Sequence, residues 1–147
     1  MSPAGTLVIR RVIRASREEI FDMWTRADHL RRWMRPPRAV GASAETDPRV
    51  GGRYRIVMQG ERDYDHNGEY LVVDRPSKLS FTWISEGSDY QTSLVTVELF
   101  DRGAGQTELV LTHERLPPAK VEQHTEGWSE ILGELASQFD ARGRSHG

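Results

Sequence analysis

The chain has 147 residues, 37% of them hydrophobic, a size at which one core can bury most of its apolar surface, so one domain over 1–147 is expected, with its core at about 6–140 and a flexible tail at 141–147. A net charge of -2 sets up no global field that gathers nucleic acid or coats an anionic membrane, which excludes both as general partners. The absence of cysteine removes disulfides, thiolate metal sites and cysteine nucleophiles; with no signal-peptide pattern in Met1 to Leu7 and no run near the roughly 20 apolar residues of a membrane span, a cytoplasmic address is expected.

In chain order, alternation over Leu7 to Ile13 predicts a first strand ending near Arg14. Ser16 then stands at an N-cap position with Glu19 three residues on, and Ile20, Phe21 and Trp24 form a stripe at helical spacing, which predicts a short helix. A second short helix is expected over Ala27 to Trp33, stopped by Pro36-Pro37. Strands follow through Arg38 to Glu45, Arg53 to Gln59, Asp63 to Val73, Lys78 to Ser85, Thr92 to Phe100 and Thr107 to Leu116, separated by Gly, Pro, Asp and Ser turns. Short links between successive strands make an antiparallel meander. Ala119 to Phe139 reads as one helix of about six turns, with Trp128, Ile131, Leu132, Leu135 and Phe139 as its apolar stripe. The class is α+β: a curved antiparallel sheet around a long C-terminal helix.

Side chains two apart on a strand share a face, and one face of this sheet must be covered. Parity groups Tyr54 with Ile56 and Met58, Tyr70 with Val72, Leu79 with Phe81 and Trp83, Val95 with Val97 and Leu99, and Leu109 with Leu111 and His113. His66 shares the parity of Tyr70, and His124 precedes Trp128 by one helical turn. Glu69 and Glu114 fall on the outward face, and Glu61, Asp63 and Asp65 at a strand entrance. Arg26, Arg31, Arg32, Arg35 and Arg38 form a local basic cluster, either a solvated face or a positive rim. Gly51-Gly52 precedes a strand rather than a helix, so it is a bend or bulge and not a phosphate cradle. No nucleophile triad, phosphate loop or paired-carboxylate spacing is present, and neither a metal site nor a cofactor is expected.

Several segments together resemble one family: ASREEIFDMWT over Ala15 to Thr25, LRRW over Leu30 to Trp33, VGGRYRIVM over Val50 to Met58, Gly68-Glu69-Tyr70, RPSKLSFTW over Arg75 to Trp83, LVLTH over Leu109 to His113, and Gly127-Trp128. In order and spacing these are similar to bacterial members of the family of the activator of the heat-shock-protein-90 ATPase, within the START/SRPBCC (Bet v 1-like) helix-grip superfamily. The resemblance implies the same element order and a cavity between the sheet and the long helix. It also implies a range of roles across the superfamily: lipid and hormone carriage, polyketide cyclisation and aromatisation, and co-chaperone activity.

Three functions are expected to compete. The first is binding of an apolar or aromatic small molecule by Trp33, Tyr54, Ile56, Met58, Tyr70, Phe81, Trp83, Val97, Leu111, His113, His124, Trp128 and Ile131. The lack of a catalytic constellation favours it, so the chain leans away from being an enzyme. The second is a cyclase-like or aromatase-like enzyme in which His113 moves protons with the tyrosine hydroxyls of Tyr54 or Tyr70. The third is a co-chaperone-like interaction module, against which a single domain without a further N-terminal domain weighs. The chain is expected to be a monomer or, through its strand edges, a homodimer.

Overall fold

The computed structural model describes residues 5–140; the tail expected at 141–147 and the first four residues lie outside the described residues. The chain runs β1 (Leu7–Ile13), α1 (Arg17–Thr25), α2 (Ala27–Trp33), β2 (Gly41–Thr46), β3 (Arg53–Gln59), β4 (Asp63–Asp74), β5 (Lys78–Ser85), β6 (Ser93–Gly103), β7 (Gln106–Glu114) and α3 (Val121–Ser137). All strand pairs are antiparallel, in the order β1-β7-β6-β5-β4-β3-β2. β1 starts beside the position β7 will take, the two short helices carry the chain to the far edge, and the remaining strands return one by one. This is the helix-grip architecture, with α3 packed on the sheet.

Register lines up the inward face across strands. Leu7, His113, Val95, Phe81 and Tyr70 form one row through five strands, and Ile9, Leu111, Val97, Leu79 and Val73 form the next. Val73 replaces the expected Val72 because the β4–β5 register shifts between Tyr70 and Val72; the extra residue flips the parity, so Val73 packs on the core. At Gly68 the sheet needs glycine, since a Cβ there would sit 2.0 Å from the Thr82 carbonyl oxygen. That carbonyl accepts a hydrogen bond from the Tyr54 hydroxyl.

α1 begins with a full capping box: Glu19 N–H donates to Ser16 Oγ at 3.1 Å, and Ser16 N–H donates to the Glu19 carboxylate at 3.1 Å. Trp33 is fully buried and donates its indole N–H to the Met23 carbonyl at 3.0 Å, locking α2 against α1. Arg75, in the β4–β5 turn, forks onto Asp22 of α1 at 3.0 and 3.1 Å.

β6 runs on to Gly103 rather than stopping at Phe100, and β7 stops at Glu114 rather than Leu116; β2 and α3 differ from expectation for visible reasons. β2 starts at Gly41 rather than Arg38, because a turn closed by Ala39 N–H on the Pro36 carbonyl occupies the preceding residues. α3 spans 17 residues, about five turns at 3.6 residues per turn, rather than six. Its first expected turn is a 3-10 turn over Pro118–Lys120, and at its far end the Gln138 and Phe139 N–H groups reach back three residues, tightening the chain out of α-geometry.

Candidate functional site

The inward face of the sheet is closed over by α1 and α2 at one end and stands open beside α3 at the other. At the closed end, Tyr54, Ile56, Tyr70 and Phe81 meet Trp24, Leu30 and Met34 around a void of about 10 Å³, room for one water at most. The Tyr54 ring lies 5.3 Å from Phe81 and 5.6 Å from Tyr70, a packed aromatic cluster whose burial pushes both tyrosine hydroxyls well above their ordinary pKa.

At the open end lies a cavity of about 660 Å³. Four segments wall it: the exit of α2 (Pro36, Arg38, Ala39), the β3–β4 hairpin (Met58, Gln59, Gly60, Glu61, Tyr64, His66), the end of β5 and the turn after it (Trp83, Ser85, Glu86, Gly87), and one stripe of α3. The stripe is Gln123, His124, Gly127, Trp128 and Ile131, the three-and-four spacing that puts residues on one side of a helix, with Lys120 at the N-cap just before it. Gly127 is the gap in that stripe: a Cβ built there meets nothing within 4 Å.

The inner wall is aromatic. The Trp83 and Trp128 rings lie 5.0 Å apart, and His66 packs 4.7 Å from Trp83. The Trp83 indole N–H is buried with no hydrogen-bond partner. The rim is charged and balanced by ion pairs between elements: Arg38 with Glu130 at 3.1 Å, Lys120 with Asp89 at 3.9 Å, and Arg62 with Glu86. Arg62 also stacks 4.9 Å from the Tyr64 ring centroid. Of the basic cluster around α2, only Arg38 reaches the cavity; Arg35 is spent on the Ala39 carbonyl at 2.9 Å, and Arg26, Arg31 and Arg32 are exposed.

Behind the aromatic wall His113 is fully buried, and both its ring nitrogens are occupied. The Trp128 indole N–H donates to Nδ1 at 3.0 Å; an indole N–H can only donate, so Nδ1 carries the lone pair and Nε2 the proton. Nε2–H therefore donates to Ser93 Oγ at 2.7 Å, and Ser93 Oγ–H donates to the Trp83 carbonyl at 2.7 Å. This chain links α3, β7, β6 and β5 with every partner satisfied. Burial, helped by nearby His124, lowers the His113 pKa from 6.5 to about 3. Burial likewise takes His66 to about 4, and burial lowers His124.

Of the residues expected to hold a ligand, Met58, Trp83, His124, Trp128 and Ile131 line the cavity. Tyr54, Ile56, Tyr70 and Phe81 surround the small void, and Trp33, Val97, Leu111 and His113 sit in the packed core behind the walls. The cavity also takes in Glu61, which the sequence places at the strand entrance, and Tyr64, which is absent from the residues expected to hold a ligand. The signal for Tyr64 is its parity, which it shares with His66 and Tyr70 on β4, and in the fold it faces Met58 across the β3–β4 pair. The α3 positions Lys120, Gln123 and Gly127 carry no apolar signal, and only helical spacing places them with His124 and Ile131. Among the described residues no group of three or more His, Asp or Glu could hold a metal ion, and no helix is long and apolar enough to cross a membrane.

A family model described as Activator of Hsp90 ATPase homolog 1-like protein matches residues 14–140. No curated protein matches the chain. Among solved structures, a protein from Rhodobacter sphaeroides is 21% identical with a TM-score of 0.82, covering 96% of each chain. An HSP90 activator from Plasmodium falciparum is 24% identical with a TM-score of 0.74, covering 92% of this chain and 96% of its own. CalU16 from Micromonospora echinospora is 25% identical with a TM-score of 0.69, covering 88% of this chain and 73% of its own.

Proposed function

The chain belongs to the Activator of Hsp90 ATPase homolog 1-like family, and on that premise we propose that it binds a small molecule with an apolar, ring-bearing body in the cavity between α3 and the β3–β5 end of the sheet. The observation that carries this reading is the combination of about 660 Å³ of open space with an indole pair at its inner wall. That volume lies in the range of small-molecule sites, and aromatic walls with a few polar groups are their usual chemistry. The balanced rim charge favours a ligand of low net charge over a strong anion or cation.

Proton transfer by His113 is the weaker reading. Neither ring nitrogen is free to meet a substrate, and the Tyr54 hydroxyl is spent on a backbone carbonyl. General acid or base work needs a group within hydrogen-bond reach of the reacting atom.

Native mass spectrometry of the purified protein, followed by a thermal-shift screen of aromatic, lipid-like and polyketide-like compounds, tests the proposal. A ligand at 100 times its Kd is expected to add about 2.7 kcal/mol to stability. A co-purifying small mass or a saturable stabilisation by ring compounds is the expected result. No retained mass and no stabilisation by any ring compound would overturn it.

A further inference from the structure

Two imidazoles line the cavity: His66 keeps an unpartnered Nδ1 buried, whereas His124 has a nitrogen to offer on the cavity side. His124 Nδ1 lies 2.9 Å from the Lys120 carbonyl oxygen, one turn back on α3. A carbonyl oxygen can only accept, so Nδ1 carries the proton and Nε2 carries the lone pair. Nε2 lies on the side of Gly87, the cavity-lining residue of the turn after β5: a Cβ built on Gly87 would stand 3.5 Å from Nε2 and 3.4 Å from the neighbouring ring carbon. With no side chain at 87, nothing from that position stands in van der Waals contact with Nε2. Trp128, one turn further along α3, turns its own N–H inward to His113 and leaves its ring as part of the cavity wall.

Resting on the cavity reading above, we infer that His124 Nε2 is the acceptor for a phenolic or enolic hydroxyl on the bound ring system, so that the ligand class is a hydroxylated planar aromatic lying along Trp128 and Trp83. Burial lowers the pKa of His124, which keeps the imidazole neutral and accepting at neutral pH. The contact is a hydrogen bond and moves no proton. A neutral ring hydroxyl also suits a rim on which Arg38, Arg62 and Lys120 each already face a carboxylate.

The test is isothermal titration calorimetry with three compounds of one shape: phenanthrene, 9-methoxyphenanthrene and 9-phenanthrol. Wild-type protein is expected to bind 9-phenanthrol about tenfold more tightly than the methoxy compound, the scale of one hydrogen bond formed away from water. His124→Phe keeps a ring in the wall and removes the acceptor; it is expected to abolish that preference while leaving the affinity for phenanthrene within about twofold. Gly87→Leu leaves the imidazole in place and covers Nε2, and is expected to abolish the preference in the same way. Equal binding of all three compounds by wild type, or a preference that survives both substitutions, overturns the hydroxyl assignment while the cavity reading stands. Failure of all three to bind overturns the hydroxyl assignment, and the cavity reading falls with it when the wider screen of ring compounds also shows no stabilisation.

Discussion

At the residue scale, the most informative side chain is His113, because its chemistry follows from its neighbours rather than from its type. Parity alone points it inward, and an inward histidine near pH 7 invites a catalytic reading. The Trp128, Ser93 and Trp83 partners turn it instead into a neutral clamp between α3 and three strands. This has a pH consequence of definite sign. The folded protein keeps His113 neutral down to about pH 3, whereas the unfolded chain takes up a proton near 6.5. Across that window the unfolded state binds more protons, so stability rises with pH and falls on acidification. The slope is at most about 1.4 kcal/mol per pH unit for each such histidine, and His66 adds to it with the same sign. Urea unfolding between pH 7 and pH 5 is expected to show this loss, and His113→Gln is expected to be less stable at pH 7 but to have a shallower pH dependence. An unchanged slope in the variant would place the proton uptake elsewhere.

At the scale of elements, α1 is held by local chemistry that sequence displays openly. Ser16 and Glu19 satisfy each other's backbone N–H groups, and Ser16→Ala is expected to cost about 1 kcal/mol, read as a lower midpoint in chemical denaturation. Loss of less than a few tenths would mean that Arg17 on Ser77 and Arg75 on Asp22 hold the helix start without its cap. The same locality explains what was legible. β3 and β5 fall within the expected bounds because alternation and turn residues specify them directly. The β4 bulge was not legible, since one extra residue leaves no mark on composition but reverses the faces of Val72 and Val73. α3 starts later than its spacing suggests because helical spacing continues through Pro118–Lys120, where Lys120 N–H bonds to the Pro117 carbonyl and sets a tighter turn.

At the scale of the whole molecule, the inward face of the sheet is covered unevenly, packed under α1 and α2 at the Tyr54 and Phe81 end and open beside α3 at the Trp83 end. Sequence shows that aromatic residues face inward but not where the helix diverges from the sheet, so it assigns filled core and cavity wall to one list. The divergence depends on long-range geometry: the position of α3 relative to the β3–β4 hairpin, and the small residues Gly87 and Gly127 that face the gap. The ion pairs at its rim are exposed and contribute little each to holding the mouth shut, which suits a site that must admit a ligand.

Gly127 offers the most direct test, because there stability and binding are expected to move in opposite directions. Replacing a mid-helix glycine with leucine favours α3 by roughly 0.5–1 kcal/mol, and a Cβ there meets nothing within 4 Å, so the side chain starts into the open space of the cavity. The measurement is the thermal shift given by a ring compound that stabilises the wild type, repeated on Gly127→Leu. The account predicts a variant that melts at or above the wild-type temperature and shows no ligand-induced shift. A variant that folds equally well and keeps the full shift would place the ligand outside this cavity and contradict the account.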